Sequence, residues 1–387
     1  GLVDCAGIRL QEATDALDAL GRLYRQQTAA SGVIPQYAAV FGQCGGGTAL
    51  LAALSDFTFM VKDTSALFVN APNTLDDSCG AAERYAGAEF QGRETGNADF
   101  VCENEETLLA QLRELVLMLP FNQEDVLDYD VCEDDLNRKI ADYSGTGDAA
   151  QVLKDITDVG RYVEVTAGYA REMVTAFVKL NGLTVGAVAN RTEILDENGE
   201  AAESFNGKLT TEGPQKAADF IRFCDAFSIP VLSLVSATGF DTTVANEKSV
   251  AREAARLIHT FADASAPKVT LLTGEAYGSA YLTMNSGHIG ADLVYAWPTA
   301  SVGMMPAENA VKIIYNDEID ASDDAQGLIA EKAAAYAALQ TSPESAAGRG
   351  YVDAVIEPES TRQHLIAAFE MLYSKRAVRP SKKHSTL

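Results

Sequence analysis

An α/β fold built from two copies of one unit is what the sequence predicts, on three observations. Short apolar runs alternate with amphipathic stretches of helical period along the chain. A strand–glycine–helix pattern occurs twice. The 387 residues are 47% hydrophobic and 22% charged, which supplies two cores at roughly 150 residues per domain.

Taken in order, Gly1 to Cys5 is strand-like. Leu17, Leu20, Leu23 and Tyr24 recur at helical spacing within Leu10 to Ala30, and Ser31-Gly32 ends that helix. Val33 to Phe41 is a strand leading to Gly45-Gly46-Gly47, Thr48 to Leu54 a short helix, and Phe57 to Val61 a further strand. Glu103 to Leu119 is an amphipathic helix ended by Pro120. Residues 121–148 are acidic and lack apolar periodicity (Asp125, Asp128, Asp130, Glu133, Asp134, Asp135), and close on Ser144-Gly145-Thr146-Gly147. A domain boundary falls here, giving domains 1–147 and 148–387. The second half resumes with strands at Tyr162 to Val165, Ala176 to Leu180 and Thr184 to Ala189, and Asn198-Gly199 marks a turn. Lys216 to Phe227 is a helix feeding Pro230 to Val235, and Ser249 to Ala262 and Thr361 to Lys375 are helices before a basic tail.

Charge and composition exclude several functions. Thirty Lys plus Arg against 55 Asp plus Glu give a net charge of −25. That argues against nucleic acid, whose phosphates are held by Lys and Arg, and against an anionic membrane surface. No apolar run reaches the ~18 residues of a membrane-spanning helix. Cys5, Cys44, Cys79, Cys102, Cys132 and Cys224 form no CxxC pair, so no zinc site is expected and they read as reduced thiols of a cytoplasmic protein. His259, His288, His364 and His384 are the only histidines, too few for a His-based metal centre. Gly1-Leu2-Val3 reads as the middle of a buried strand, so further residues are expected before Gly1.

The repeat carries the chemistry. Pro35-Gln36-Tyr37-Ala38-Ala39-Val40-Phe41-Gly42 is followed by Gln43-Cys44-Gly45-Gly46-Gly47-Thr48-Ala49. Pro267-Lys268-Val269-Thr270-Leu271-Leu272-Thr273-Gly274 is followed by Glu275-Ala276-Tyr277-Gly278-Ser279-Ala280-Tyr281. Gly46-Gly47 falls in register with Gly278-Ser279, and each copy continues with an Asp (Asp56, Asp292), a short strand and a Pro-bearing loop (Pro72, Pro306). A strand delivered to a turn of tiny residues exposes the first amides of a helix, which lack intrahelical acceptors and lie at the positive end of the dipole. Such a turn is a candidate oxyanion hole for a carbonyl oxygen that gains negative charge. Phosphate binding and simple close packing use the same turn and stay open at this point.

These residues resemble the crotonase superfamily, and the whole chain is similar to the carboxyltransferase (beta-type) subunit of biotin-dependent acyl-CoA carboxylases and decarboxylases. The strings that carry the likeness include Ala30-Ser31-Gly32-Val33-Ile34-Pro35-Gln36, Asp56-Phe57-Thr58-Phe59-Met60-Val61, Ala276-Tyr277-Gly278-Ser279-Ala280-Tyr281 and Gly290-Ala291-Asp292-Leu293-Val294-Tyr295-Ala296-Trp297-Pro298. The ending Arg379-Pro380-Ser381-Lys382-Lys383-His384 adds to it. The resemblance implies two tandem crotonase-like ββα superhelix domains, the first lacking its N-terminal segment. It implies an acyl-CoA side in 1–147 and a biotin side in 148–387, with the site shared between subunits of a homo-oligomer. Gly46 and Gly47 would face the thioester carbonyl; Ser279 and Ala280, with Gly278, would face the ureido oxygen of biotin. Biotin itself would be the base, and would arrive on a separate carrier, since the chain has no Met-Lys-Met biotinylation site and no ATP-binding glycine loop. Further partners would be a biotin carboxylase or the membrane subunit of a sodium-pumping decarboxylase, which would place the chain in the cytoplasm or against a membrane complex.

The sequence also departs from the family. Gly278-Ser279-Ala280 stands for Gly-Gly-Ala, Gln91 for a His, and Leu282, at a position tied to acyl-chain choice, is apolar. Beside Gly45 and Leu282, Arg9 and Lys62 are candidate contacts to acyl-CoA, against the reading of solvated cations, which also applies to Arg252 and the basic tail. Trp297 and Tyr295 are expected at an interface, His288 in a structural role, and Cys44 and Cys224 as inert core thiols. Two other readings are a truncated or inactive structural subunit, and a crotonase-type hydratase or hydrolase. The latter needs a carboxylate near Gly46, for which Glu12, Asp63 and Asp76 are the candidates.

Overall fold

The computed structural model describes residues 1–76, 82–125, 129–145, 147–196, 198–377, 380 and 382. Cys79, Asp128, Thr146, Arg379, Ser381, Lys383 and His384 lie outside the described residues. The chain divides into two compact units, Gly1–Leu127 with Val163–Arg171 and Ala226–Ser228, and Asp128–Tyr162 with Glu172–Asp225 and Ile229–Leu387.

In the first unit, β1 (Leu2–Cys5), β2 (Tyr37–Gly45), β3 (Phe57–Val61) and, after the three-residue β4 (Ala66–Phe68), β5 (Phe100–Cys102) form a parallel sheet in the order β1-β2-β3-β5. β4 pairs with the far end of β2. β3 is Phe-Thr-Phe-Met-Val with every residue buried, the continuous apolar run of a parallel strand covered on both faces. Val40, Cys44, Ala49, Ala52, Met60 and Leu67 form its core. α1 (Ala13–Ala30) matches the predicted helix, but only Leu20 of its apolar stripe is buried, while Leu17 and Leu23 are exposed. α2 (Gly47–Ala53) follows β2, burying Ala49 and Ala52. α3 (Glu105–Met118) begins at Asn104, whose side chain accepts the Thr107 N–H at 2.9 Å. It stops at Leu119, extended because Pro120 follows.

The second unit opens with the acidic stretch. This is irregular but tied down: Arg138 pairs with Asp134 and Asp155, each at 3.1 Å. Arg362, fully buried, reaches Asp158 at 2.7 Å and Asp134 at 3.3 Å. α4 (Ala149–Ile156), capped by Asp148, leads to the hairpin of β6 (Met173–Leu180) and β7 (Leu183–Asn190). Asn181 and Gly182 turn it with φ of 53° and 78°, the pairing that a two-residue hairpin needs. α5 (Glu212–Ala226) feeds β8 (Val231–Ala237), and α6 (Val250–Asp263) feeds β9 (Lys268–Tyr277). α7 (Gly278–Thr283), β10 (Leu293–Ala296), β11 (Ser301–Gly303), β12 (Ala354–Val355) and α8 (Thr361–Leu372) follow, with four further α-helices between Ala307 and Gly348. The strand order is β12-β10-β9-β8-β7-β6, with β11 on the far end of β9.

Trp297 corrects an expectation. It is 1% exposed and its indole N–H donates to Thr361 Oγ1 at 3.0 Å, so it belongs to the core of its own unit. Cys44 and Cys224 are core thiols as expected: both are fully buried, and burial pushes both thiols up. No described helix is long and apolar enough to cross a membrane.

Candidate functional site

The first turn is built by close approach. β2 ends at Gly45, and a Cβ there would meet the Ala6 carbonyl at 2.5 Å and the Phe68 ring at 2.7 Å. Gly47 opens α2, where a Cβ would strike Leu20 and Tyr24 of α1. Between them Gly46 has φ 59° and ψ −128°, a region only glycine occupies at little cost, and no atom lies within 4 Å of its absent Cβ. The three glycines are therefore not equivalent. Two serve packing, and the middle one makes the bend and faces open space.

Hydroxyls hold the bend. Thr48 Oγ1 donates to Gly45 O at 2.7 Å and to Cys5 O at 3.2 Å. Tyr24 donates to Gly47 O at 2.8 Å. The Gly46 N–H donates to Phe68 O at 2.9 Å, which corrects the expectation of a Gly46–Gly47 amide pair: the amides that begin the helix without intrahelical acceptors are those of Gly47 and Thr48.

The second turn repeats this plan with other side chains. β9 ends at Tyr277, and Gly278 bends at φ 54°, its absent Cβ 3.1 Å from Met304 O. Ser279 is exposed, Ala280 is buried and Leu282 is half-buried. Thr283 Oγ1 donates to Ser279 O at 2.8 Å. Tyr281 is buried with no hydrogen-bond partner for its hydroxyl among the described residues, and burial pushes that phenol up to about 12.

The duplication extends to register. In β1–β2, Val3 pairs Val40 and, after a shift, Cys5 pairs Cys44. In β8–β9, Val235 pairs Leu272 and, after the same shift, Ala237 pairs Ala276. β4 backs Gly45 through Phe68, and β11 backs Tyr277 through Gly303. Gly46 thus corresponds to Gly278, Gly47 to Ser279 and Thr48 to Ala280.

The flanking candidates differ in setting. Lys62 is half-buried at the end of β3, with Glu103 at 3.1 Å and Glu89 at 3.8 Å. The hydrogen bond to Glu103 raises its pKa. It lines a cavity of about 360 Å³ with Arg93, Gln111 and Glu164. Arg9 and Arg252 are exposed. His288 lies in a short 3₁₀ turn with its ring 4.9 Å from that of Tyr351. Gln91 is buried and donates to Tyr85 O at 2.7 Å, a wholly structural setting. Among the described residues no cluster of His, Cys, Asp or Glu could hold a metal. Sequence reasoning missed Phe68, Tyr24, Thr48 and Thr283. No sequence signal marks them: the strands that follow Asp56 and Asp292 are β3 and β10, and the three-residue β4 and β11 carry no pattern of their own.

The model of a family described as carboxyl transferase domain matches residues 1–387. A propionyl-CoA carboxylase carboxyltransferase subunit of Haloferax mediterranei is 38% identical over 399 residues, covering 100% of this chain and 75% of its own length. The methylmalonyl-CoA decarboxylase subunit alpha of Veillonella parvula is 38% identical over 399 residues, with the same shares. A transcarboxylase 12S crystal structure, a hexamer assembly with methylmalonyl-coenzyme A bound, superimposes with a TM-score of 0.92 at 35% identity, covering 100% of this chain and 74% of that one. The expected α/β architecture is thus observed, in its crotonase-like form. On sequence, register and superposition alike, the chain belongs to the carboxyl transferase domain family.

Proposed function

We propose that this chain is the carboxyltransferase subunit of a biotin-dependent acyl-CoA carboxylase or decarboxylase, moving CO2 between biotin on a separate carrier protein and a short-chain acyl-CoA. The observation that carries the reading is the register-level duplication of the glycine turn, because this transfer develops negative charge on two different oxygens. The turn after β2, in the acyl-CoA side (1–147), holds the thioester oxygen as the α-carbon loses its proton or carboxyl group. Gly47 and Thr48 supply the amides, Gly46 supplies the bend and the open approach, and Gly45 lets β4 close behind them. The turn after β9, in the biotin side (148–387), holds the ureido oxygen through Ser279 and Ala280, with Gly278 as its bend. Biotin, when delivered, supplies the carboxyl group and the base. The donor set fits it: the amides that open a helix without intrahelical acceptors suit an oxygen anion.

Leu282, half-buried on the same short helix, is assigned to acyl-chain selection, and Lys62 and Arg9 to the CoA moiety. The partners are acyl-CoA, the biotin carrier, a biotin carboxylase or a membrane decarboxylase subunit, and further copies of the chain. A cytoplasmic setting fits the free thiols Cys5, Cys44, Cys102, Cys132 and Cys224 among the described residues. A hydratase is less well supported, since Glu12, Asp63 and Asp76 are all exposed. The test is incubation with biotinylated carrier and carboxyl-labelled malonyl-CoA or methylmalonyl-CoA. Label on the carrier is the expected result; hydration of crotonyl-CoA without any transfer would overturn the reading.

A further inference from the structure

Two hydroxyls, Tyr24 in the first unit and Thr283 in the second, meet the turns at corresponding places. Tyr24 donates to Gly47 O, and Thr283 donates to Ser279 O, both at 2.8 Å. Gly47 and Ser279 are the register equivalents of one another. The donors are not equivalent: Tyr24 comes from α1, a separate helix, whereas Thr283 lies four residues along α7 itself. Unrelated side chains thus deliver a hydroxyl to the same carbonyl in both copies.

The peptide group is rigid, so a carbonyl and the next residue's N–H share one plane. A hydroxyl on Gly47 O therefore fixes the direction of the Thr48 N–H, and one on Ser279 O fixes the Ala280 N–H. Short helices need such help, because their first turn has few intrahelical bonds to define it. In the first unit the neighbouring plane is fixed as well, through Thr48 Oγ1 on Gly45 O.

We propose that Tyr24 and Thr283 are positioning residues for carboxyl transfer, each orienting the amide plane on which its turn holds a developing oxyanion. The proposal rests on the functional reading above. Neither side chain needs to touch substrate. Its contribution belongs to the transition state, where donor direction matters, and not to ground-state binding of acyl-CoA.

The test compares Tyr24→Phe with the native protein in carboxyl transfer from methylmalonyl-CoA to biotinylated carrier. The expected result is a kcat lower by roughly tenfold, short of the hundredfold typical of deleting an oxyanion donor outright, with KM for acyl-CoA and the thermal midpoint unchanged. An unchanged kcat, or a loss that follows a raised KM or a lowered thermal midpoint, overturns the positioning role. Thr283→Val and Thr283→Ser give an independent check: Val should lose kcat and Ser, which keeps the hydroxyl, should restore it. Equal kcat for the two overturns the second anchor. Absence of transfer by the native protein overturns the functional reading itself, whereas native transfer with an indifferent Tyr24→Phe overturns the positioning alone.

Discussion

Asp56 and Asp292 make the same bond in the two units. Each carboxylate accepts, at 2.7 Å, the amide N–H of the residue at the head of its unit's longest strand, Gln36 in one and Lys268 in the other. Each also returns its own N–H to that residue's carbonyl, at 2.9 Å and 2.8 Å. The next strand repeats the device, with Asp99 on Thr58 at 2.8 Å and Asp353 on Val294 at 2.7 Å. These clasps fix where β2 and β9 begin, and so where their glycine turns arrive.

Removing the first clasp tests this. Asp56→Ala leaves the buried end of β2 with an unmet amide and should cost about 1–3 kcal/mol in urea unfolding. Asp56→Asn keeps an acceptor and should cost less. Asp292 also pairs with Lys375 at 2.7 Å, so Asp292→Asn should cost more than Asp56→Asn. Equal costs would show that the ion pair contributes nothing.

The same residue predicts a pH dependence. Burial pushes the Asp56 carboxyl above its ordinary value of 3.8, against the pull of the Gln36 amide. The native state then holds this proton longer than the unfolded chain, so its contribution falls as pH rises from 3.8 through the native value. The stability difference between native protein and Asp56→Asn, measured across that window, should shift in favour of Asn with rising pH.

The glycines separate by mechanism. Gly47→Ala drives a methyl into Leu20 and Tyr24, which should cost about 1–3 kcal/mol as overpacking. Gly46→Ala meets no neighbour but must hold φ near 59°, at about 1–3 kcal/mol of backbone strain. Truncating Leu20 to Ala should relieve the first variant and leave the second unrelieved, as a double-mutant comparison by urea unfolding would show.

Arg362 is the strongest tie of the acidic stretch. Its guanidinium is wholly buried between Asp158 and Asp134 and donates to Ile156 O at 2.5 Å. Arg362→Ala removes the buried cation beside Asp158, leaves Asp134 with Arg138 alone, and should cost about 3–5 kcal/mol, read as a lowered urea midpoint.

Much of the architecture was legible from residue order. The strand at Phe57–Val61 was found to the residue, because a continuous apolar run bounded by turn signals has one reading in a parallel sheet. The duplication was legible because Pro, Gly and Asp recur where backbone geometry demands them. What escaped was tertiary. β4 and β11 are three residues long and carry no pattern of their own, so the strand that takes the Gly46 amide was invisible. Tyr24 read as one more apolar position on α1, since a helical stripe does not say which member will aim a hydroxyl at another turn. Trp297 before Pro298 suggested an interface, but its indole found Thr361, which lies far along the chain.

The most direct test of the central claim is a crystal structure with an unreactive acyl-CoA thioester analogue and biotin bound. The account predicts the thioester oxygen about 2.7–3.1 Å from the Gly47 or Thr48 amide, and the ureido oxygen at the same distance from the Ser279 or Ala280 amide. An analogue bound with either oxygen turned to other donors, and both turns left facing solvent, would contradict it.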